Sequence, residues 1–231
     1  MSKIEHITFV SCTTNKSTEQ TLLESSLEDQ YMLDFDITMF HDNAQSISVR
    51  YNEFIENCID YYEDDTAIVF IHDDVYINCM DLNYRLDQAL SEFDVVGLAG
   101  TRSAKIAEPV LWHLMGDAKD RRGCVAHCVD SSQTEVSPYY YTSFGPVNDR
   151  VLLIDGLFIA GRPSLFKDIR FDENNPSRFH FYDLDYSLEC NKAKKKIGVW
   201  DIPVVHKSPG LRKTDNERGA GERWFINKWE S

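Results

Sequence analysis

The chain has 231 residues and a formal net charge of −14, from 38 acidic and 24 basic residues. That balance repels phosphate backbones and anionic lipid, which excludes generic nucleic-acid or membrane-surface binding, and a phosphate ligand would need a local positive charge. A hydrophobic content of 42% and an aromatic content of 12% are those of a globular chain able to bury one sizeable core, with no run apolar enough to span a bilayer.

One domain, residues 1–231, is expected. The start, Met1 to His6, leads into a strand pattern without the apolar stretch of a signal peptide, so the expected location is cytoplasmic. The six cysteines are scattered and are expected to be reduced. Cys124, His127 and Cys128, with His113 upstream, are residue types that hold zinc, but a second ligand pair is missing and the cysteines read as surface or packed thiols.

Ile4 to Cys12, rich in Ile, Val, Phe and Thr, reads as a first strand ending in the polar turn Thr13-Thr14-Asn15-Lys16. Ser17 to Tyr31 has helical spacing through Leu22, Leu23 and Leu27. Ile37 to Phe40 is a short second strand, and Ser48 to Tyr62 carries a helical face of Val49, Phe54, Ile55, Cys58 and Ile59. Ala67 to Ile71 is a buried strand that stops at His72-Asp73-Asp74-Val75. Leu82 to Phe93 reads as a helix and Asp94 to Gly100 as another buried strand. From Thr101 to Arg150 periodicity fades, and Gly, Pro, Ser, Asp and the run Tyr139-Tyr140-Tyr141 dominate. A loop-rich stretch of that length is expected to be functional or to hold small hairpins. Val151 to Ile154 restores a strand ending at Asp155-Gly156, and Leu157 to Ala160 continues extended. A helix is expected from Tyr186 to Ala193, preceded by Tyr182-Asp183-Leu184-Asp185, where the helix dipole favours acid. Ile197 to Trp200 and Ile202 to His206 are strand pieces, and Glu222 to Trp229 is a short amphipathic helix. The alternation of strand and helix predicts a mostly parallel α/β sheet flanked by helices.

Four polar ends stand out: His72-Asp73-Asp74, Asp155-Gly156, Asp183-Leu184-Asp185 and His206. In open α/β sheets ligands collect outside the carboxyl ends of strands, so an acidic pair there is placed to hold a divalent cation. In extended chain His72 and Asp74 share a face and Asp73 diverges from them.

In this order the ends resemble the GT-A glycosyltransferases, most closely a bacterial branch of the family 2-like enzymes with a His-Asp-Asp-Val strand end. The resemblance runs from Ile4 to Trp229. It implies a GT-A type, Rossmann-like single domain, with residues 1–100 as the nucleotide-binding half and 101–231 as the acceptor and catalytic half. It also implies a nucleotide-diphosphate sugar donor, an acceptor that is a glycan, a lipid-linked molecule or a protein, and a divalent metal, Mn²⁺ or Mg²⁺.

Carried over by residue, Asp74 matches the last acid of the family's Asp-x-Asp metal motif, and His72 stands where its first acid would be. An imidazole there suits Mn²⁺ better than Mg²⁺. His206 matches a late metal-binding histidine. Asp183 matches the general base of the family's Glu-Asp pair, with Tyr182 in place of the Glu, in inverting members. Arg50, Asn52, Asp42 and Asp73 fall on the nucleotide side. Asp155, Gly156, Asp185 and Trp112 are expected near donor sugar or acceptor, and Lys207, Arg212 and Lys213 near the diphosphate. The segment from Ser208 to Gly221, with glycines at both ends, is expected to act as a lid.

Two other readings stay open. A GT-A domain that binds nucleotide or glycan without turnover fits the His72 and Tyr182 departures. A metal-dependent nucleotidyltransferase would also use acidic strand ends, but it is expected to carry a Gly-rich phosphate loop after the first strand, and Cys12 to Lys16 lacks glycine.

Overall fold

The computed structural model of the chain describes residues 3–107, 111–130, 136, 138–208 and 216–230. Its first half is a run of strand-helix-strand units: β1 (His6–Cys12), α1 (Leu22–Glu28), β2 (Phe35–Phe40), α2 (Ile47–Cys58) and β3 (Thr66–Ile71). β1 lies between β2 and β3 and runs parallel to both. α1 begins later than the spacing predicts because Thr21 forms a capping box, its hydroxyl accepting from the Glu24 amide while the Glu24 carboxylate accepts from the Thr21 amide at 2.8 Å. Ser46 caps α2 by one bond, its hydroxyl accepting from the Val49 amide at 3.3 Å. Every residue of β3 is buried, as a strand covered on both faces requires.

The chain then alternates between two sheets. β4 (Val75–Ile77) is followed by α3 (Leu82–Glu92), β5 (Val95–Gly97) and β6 (Ala99–Thr101). The single strand expected from Asp94 to Gly100 is therefore two, β5 in the first sheet and β6 in the second. Between Thr101 and Arg150 lie α4 (Trp112–Met115), the long β7 (Arg121–Cys128), β8 (Tyr139–Ser143) and β9 (Asp149–Arg150). The remainder is β10 (Leu153–Ile154), β11 (Phe158–Gly161), α5 (Pro163–Asp168), α6 (Tyr182–Lys192), β12 (Ile197–Val199), β13 (Val204–His206) and α7 (Asn216–Trp229).

The first sheet has the order β2-β1-β3-β11-β5-β12-β9 and the second β10-β6-β7-β13-β4, with β8 paired to β7. The expectation of a mostly parallel sheet is corrected here. β11 runs antiparallel to both β3 and β5, β9 is antiparallel to β12, and in the second sheet the β13–β7 pair alone is parallel among the described residues. The parallel strands of the first half follow crossover helices, whereas β9 and β11 are reached through turns from the second sheet. α7 also differs from expectation. It starts at Asn216 and contains Gly219 and Gly221, against their low helix propensity. Gly221 packs so closely on Ser177 and Phe181 that a Cβ would lie 2.7–2.8 Å from them.

The first sheet is covered on one face by α2, α5 and part of α6, through Tyr51, Phe54 and Phe166 against Phe70, with Tyr186 stacked on Phe166. The other face meets α1, α3 and the second sheet. The polar strand ends meet where β3 passes into β4, and so from one sheet to the other.

Candidate active site

Register brings the four polar ends together. Antiparallel pairing sets Phe158 opposite Ile71, and the His72 amide donates to the Leu157 carbonyl at 3.1 Å, so the Asp155-Gly156 turn lies beside His72. Pairing of β13 with β4 sets His206 opposite Val75, and the Lys207 amide donates to the Asp74 carbonyl at 2.9 Å. The start of α6 closes the group, with the Gly156 amide donating to Oδ2 of Asp183 at 2.8 Å. A Cβ on Gly156 would fall 2.3 Å from the Tyr182 hydroxyl, so this turn can approach the helix only as glycine. Phe181, just before the helix, is held at φ 68°, a left-handed conformation unusual for a bulky residue and common where a site stores strain.

One ligand atom each from His72, Asp74 and His206 lie within 4.8 Å of one another. Oδ1 of Asp74 is 3.2 Å from Nε2 of His206 and 4.0 Å from Nδ1 of His72, and it is buried without a well-directed hydrogen bond. A buried carboxylate oxygen short of a donor between two imidazole nitrogens fits a divalent cation, and this donor set suits Mn²⁺ better than Mg²⁺. Burial alone would raise the Asp74 carboxyl, but the close contact and charge of His206, with His72, hold it below its ordinary value. Burial pulls His206 down, and Asp74 more than restores it, so its pKa is raised. His72 is lowered by burial, with His206 acting in the same direction.

Beyond Gly156, burial and the neighbouring Asp155 push Asp183 up to about 7, a value suited to a proton acceptor near neutral pH. Tyr182 joins the two groups. Its hydroxyl lies 2.9 Å from Nε2 of His72 and donates to the Gly156 carbonyl at 2.9 Å. Asp155 is held by the Trp112 indole N–H and by the Leu157 amide.

A model of the glycosyltransferase-like family matches residues 8–225, which include every residue of this cluster. The chain belongs to the glycosyltransferase-like family. No curated protein is significantly similar to it. Among solved structures, the crystal structure of A197 from STIV is similar over 91% of this chain and 98% of that one, with a TM-score of 0.47 and 9% identity.

Other residues expected at a glycosyltransferase site fall into three groups. On the side of β1 and β2, Asp73 turns away from the cluster, accepts a hydrogen bond from Thr13, and is raised mainly by burial. Arg50 donates to Asn43 and Glu53 at the same strand ends, beside Asp42, which is exposed in a positive-φ turn. Asn52 is on the same helix, but its amide bonds to Phe171 and Glu173 and fastens the 171–173 segment.

Asp185 and Trp112, expected near donor sugar or acceptor, are both buried. Asp185 is 1% exposed and bonded to Trp229 and Lys228 of α7, because residues two apart on a helix point about 200° apart and Asp183 occupies the cleft side. Trp112 is 4% exposed, so its ring is in the core and its N–H positions Asp155. Lys207 sits next to the cluster. Arg212, Lys213 and most of the expected lid lie outside the described residues, and the end of that lid is the start of α7.

Sequence reasoning leaves out His127 and Phe179 as residues of this site, and reads Tyr139 to Tyr141 either as lining an acceptor groove or as covering the sheet edge. Parallel pairing puts His127 opposite His206, and antiparallel pairing puts Tyr140 opposite His127, so a row of side chains runs from the cluster to the sheet edge. The Tyr140 ring stacks on His127 at 5.8 Å and is 53% exposed. Phe179 lies 5.3 Å from the His72 ring. The Tyr139-Tyr140-Tyr141 run was the one signal available, but its face could not be assigned without the register. Among the described residues the cysteines near His127 form no metal-holding group.

Proposed function

We propose that the protein is a metal-dependent glycosyltransferase that moves a sugar from a nucleotide-diphosphate donor to an acceptor hydroxyl with inversion. The observation that carries this reading is one connected cluster with two opposite carboxylate environments. Asp74 is kept ionised between two imidazoles, and Asp183 is raised to about 7 beside Asp155. Sugar transfer needs both: countercharge for a departing diphosphate, and a base for the incoming hydroxyl.

A divalent cation, Mn²⁺ or Mg²⁺, bound through His72, Asp74 and His206 would supply Lewis-acid charge to the leaving diphosphate. Lys207, beside Asp74, adds positive charge in an otherwise acidic chain. Asp73 with Thr13, and Arg50 near Asp42, offer polar contacts to the nucleoside from the first half of the chain. Asp155 and the Gly156 turn lie between the cluster and Asp183, where the donor sugar would sit. Asp183 then accepts the acceptor's hydroxyl proton, and its hydrogen bond from Gly156 fixes the direction of the carboxylate. Tyr140 and His127 extend the cleft toward the second half, as a face against which an acceptor can pack.

The test is release of nucleoside diphosphate from UDP-, GDP-, CDP- and TDP-sugars, with Mn²⁺ and with a mixed pool of saccharide acceptors. One donor class is expected to turn over, and chelator should stop it. Folded protein that releases diphosphate from none of them would overturn the catalytic reading in favour of binding without turnover.

A further inference from the structure

His72 and Tyr182, the two residues that depart from the acidic pattern of the motifs, are each other's hydrogen-bond partners. A phenol has one hydrogen to donate and lone pairs to accept with. The Gly156 carbonyl can only accept, so the Tyr182 hydrogen goes to it, at 2.9 Å. At the second contact, 2.9 Å from Nε2 of His72, the Tyr182 oxygen must then accept, which requires a hydrogen on Nε2. In a neutral imidazole Nδ1 is then bare, and Nδ1 is the nitrogen that faces Oδ1 of Asp74 at 4.0 Å.

We infer that Tyr182 is a positioning residue that holds His72 in its Nε2–H tautomer and so presents the Nδ1 lone pair as a metal ligand. The carboxylate that would ordinarily occupy either position could not be exchanged singly. An acid in place of His72 would leave the Tyr182 oxygen without its donor, and an acid in place of Tyr182 would lack the hydrogen that Gly156 accepts. The same hydroxyl ties the ligand to the Gly156 turn, and through the Gly156 amide to Asp183. The ring is also wedged between Phe179 at 5.3 Å and His206 at 6.0 Å, which limits its rotation. The ligand role rests on the metal reading above, whereas the tautomer is a property of the metal-free chain.

The experiment is long-range ¹H–¹⁵N correlation of the histidine rings in metal-free protein at pH 8, with Mn²⁺ affinity measured by electron paramagnetic resonance of the free ion. Wild type should show His72 protonated at Nε2 and bare at Nδ1. Tyr182→Phe, nearly isosteric, should give averaged tautomer shifts and a Mn²⁺ affinity lower by about 10–100-fold, the usual effect of losing a ligand's hydrogen-bond partner. A wild-type His72 with its hydrogen on Nδ1 overturns the inference even if the variant does not fold. So does a Tyr182→Phe protein that keeps both tautomer and affinity. Wild-type protein with the expected tautomer but no Mn²⁺ binding overturns the metal reading and the ligand role while leaving the tautomer assignment standing.

Discussion

Asp183 and Asp185 leave the same turn of α6 and have opposite surroundings. Both carboxyls are raised by burial, to about 7 and about 6. Asp185 is met by Lys228 at 2.7 Å and by the Trp229 indole at 2.8 Å, and Lys228 is shared with Asp172 and Glu189. Asp183 takes the Gly156 amide as a donor and has Asp155, a like charge, as its neighbour. A buried acid provided with a cation and an indole fastens one helix to another. A raised acid placed next to a second acid, with no cation beside it to lower it, costs stability, and its use lies in what it can do to a bound molecule.

Substitutions should separate these roles. Asp183→Asn keeps an acceptor for the Gly156 amide and should lower transfer by about 10²–10⁴-fold, measured as diphosphate release at saturating donor. Its stability should change in the opposite direction to its activity. Because the folded-state pKa of Asp183 is raised, the folded chain binds more protons than the unfolded one between the ordinary carboxylate value of 3.8 and about 7. Its contribution to stability therefore falls as pH rises through that window. The variant should melt higher than wild type at pH 8 and show a smaller difference at pH 4.

Asp185→Asn should spare activity. Its carboxyl is also raised, to about 6, and Lys228 keeps Asp172 and Glu189 as partners, so the change in stability should stay within about 1 kcal/mol, or roughly 2–4 °C of melting temperature for a chain of this size. Transfer per folded molecule at a temperature well below melting should stay near that of wild type. A comparable loss of kcat in the two variants would erase the distinction.

The pH profile of kcat/KM sharpens the comparison further. The rate should climb as pH rises through about 7, where Asp183 ionises, and this limb should disappear in Asp183→Asn and persist in Asp185→Asn. The smallest expected effect is at the sheet edge. Tyr140→Ala should raise the acceptor KM by about 2–10-fold, the worth of one aromatic contact, with donor KM and melting temperature unchanged.

The polar ends could be read from sequence because apolar strands that stop at acids and histidines announce themselves. Ala67 to Ile71 is buried throughout, and His72, Asp74 and His206 do converge. Their meeting place could not be read, since it depends on β4 pairing with β13 in a second sheet. A continuous apolar run such as Asp94 to Gly100 carries no mark of where it changes sheets. The mixed strand directions were hidden for the same reason. Asp185 is held by α7, and that a helical offset of two residues turns it away from Asp183 is an argument open from sequence alone. Tyr182 looked like a lost acid until its hydroxyl was seen between His72 and Gly156.

The most direct test of a metal-nucleotide site is a thermal-shift series with UDP, GDP, CDP and TDP, each with and without Mn²⁺, on wild type and Asp74→Ala. A ligand at 100 times its dissociation constant adds about 2.7 kcal/mol to the folded state. One diphosphate should raise the melting temperature of wild type by several degrees only when Mn²⁺ is present, and Asp74→Ala should show no such rise. Stabilisation that is independent of metal, or that survives in Asp74→Ala, would contradict the account.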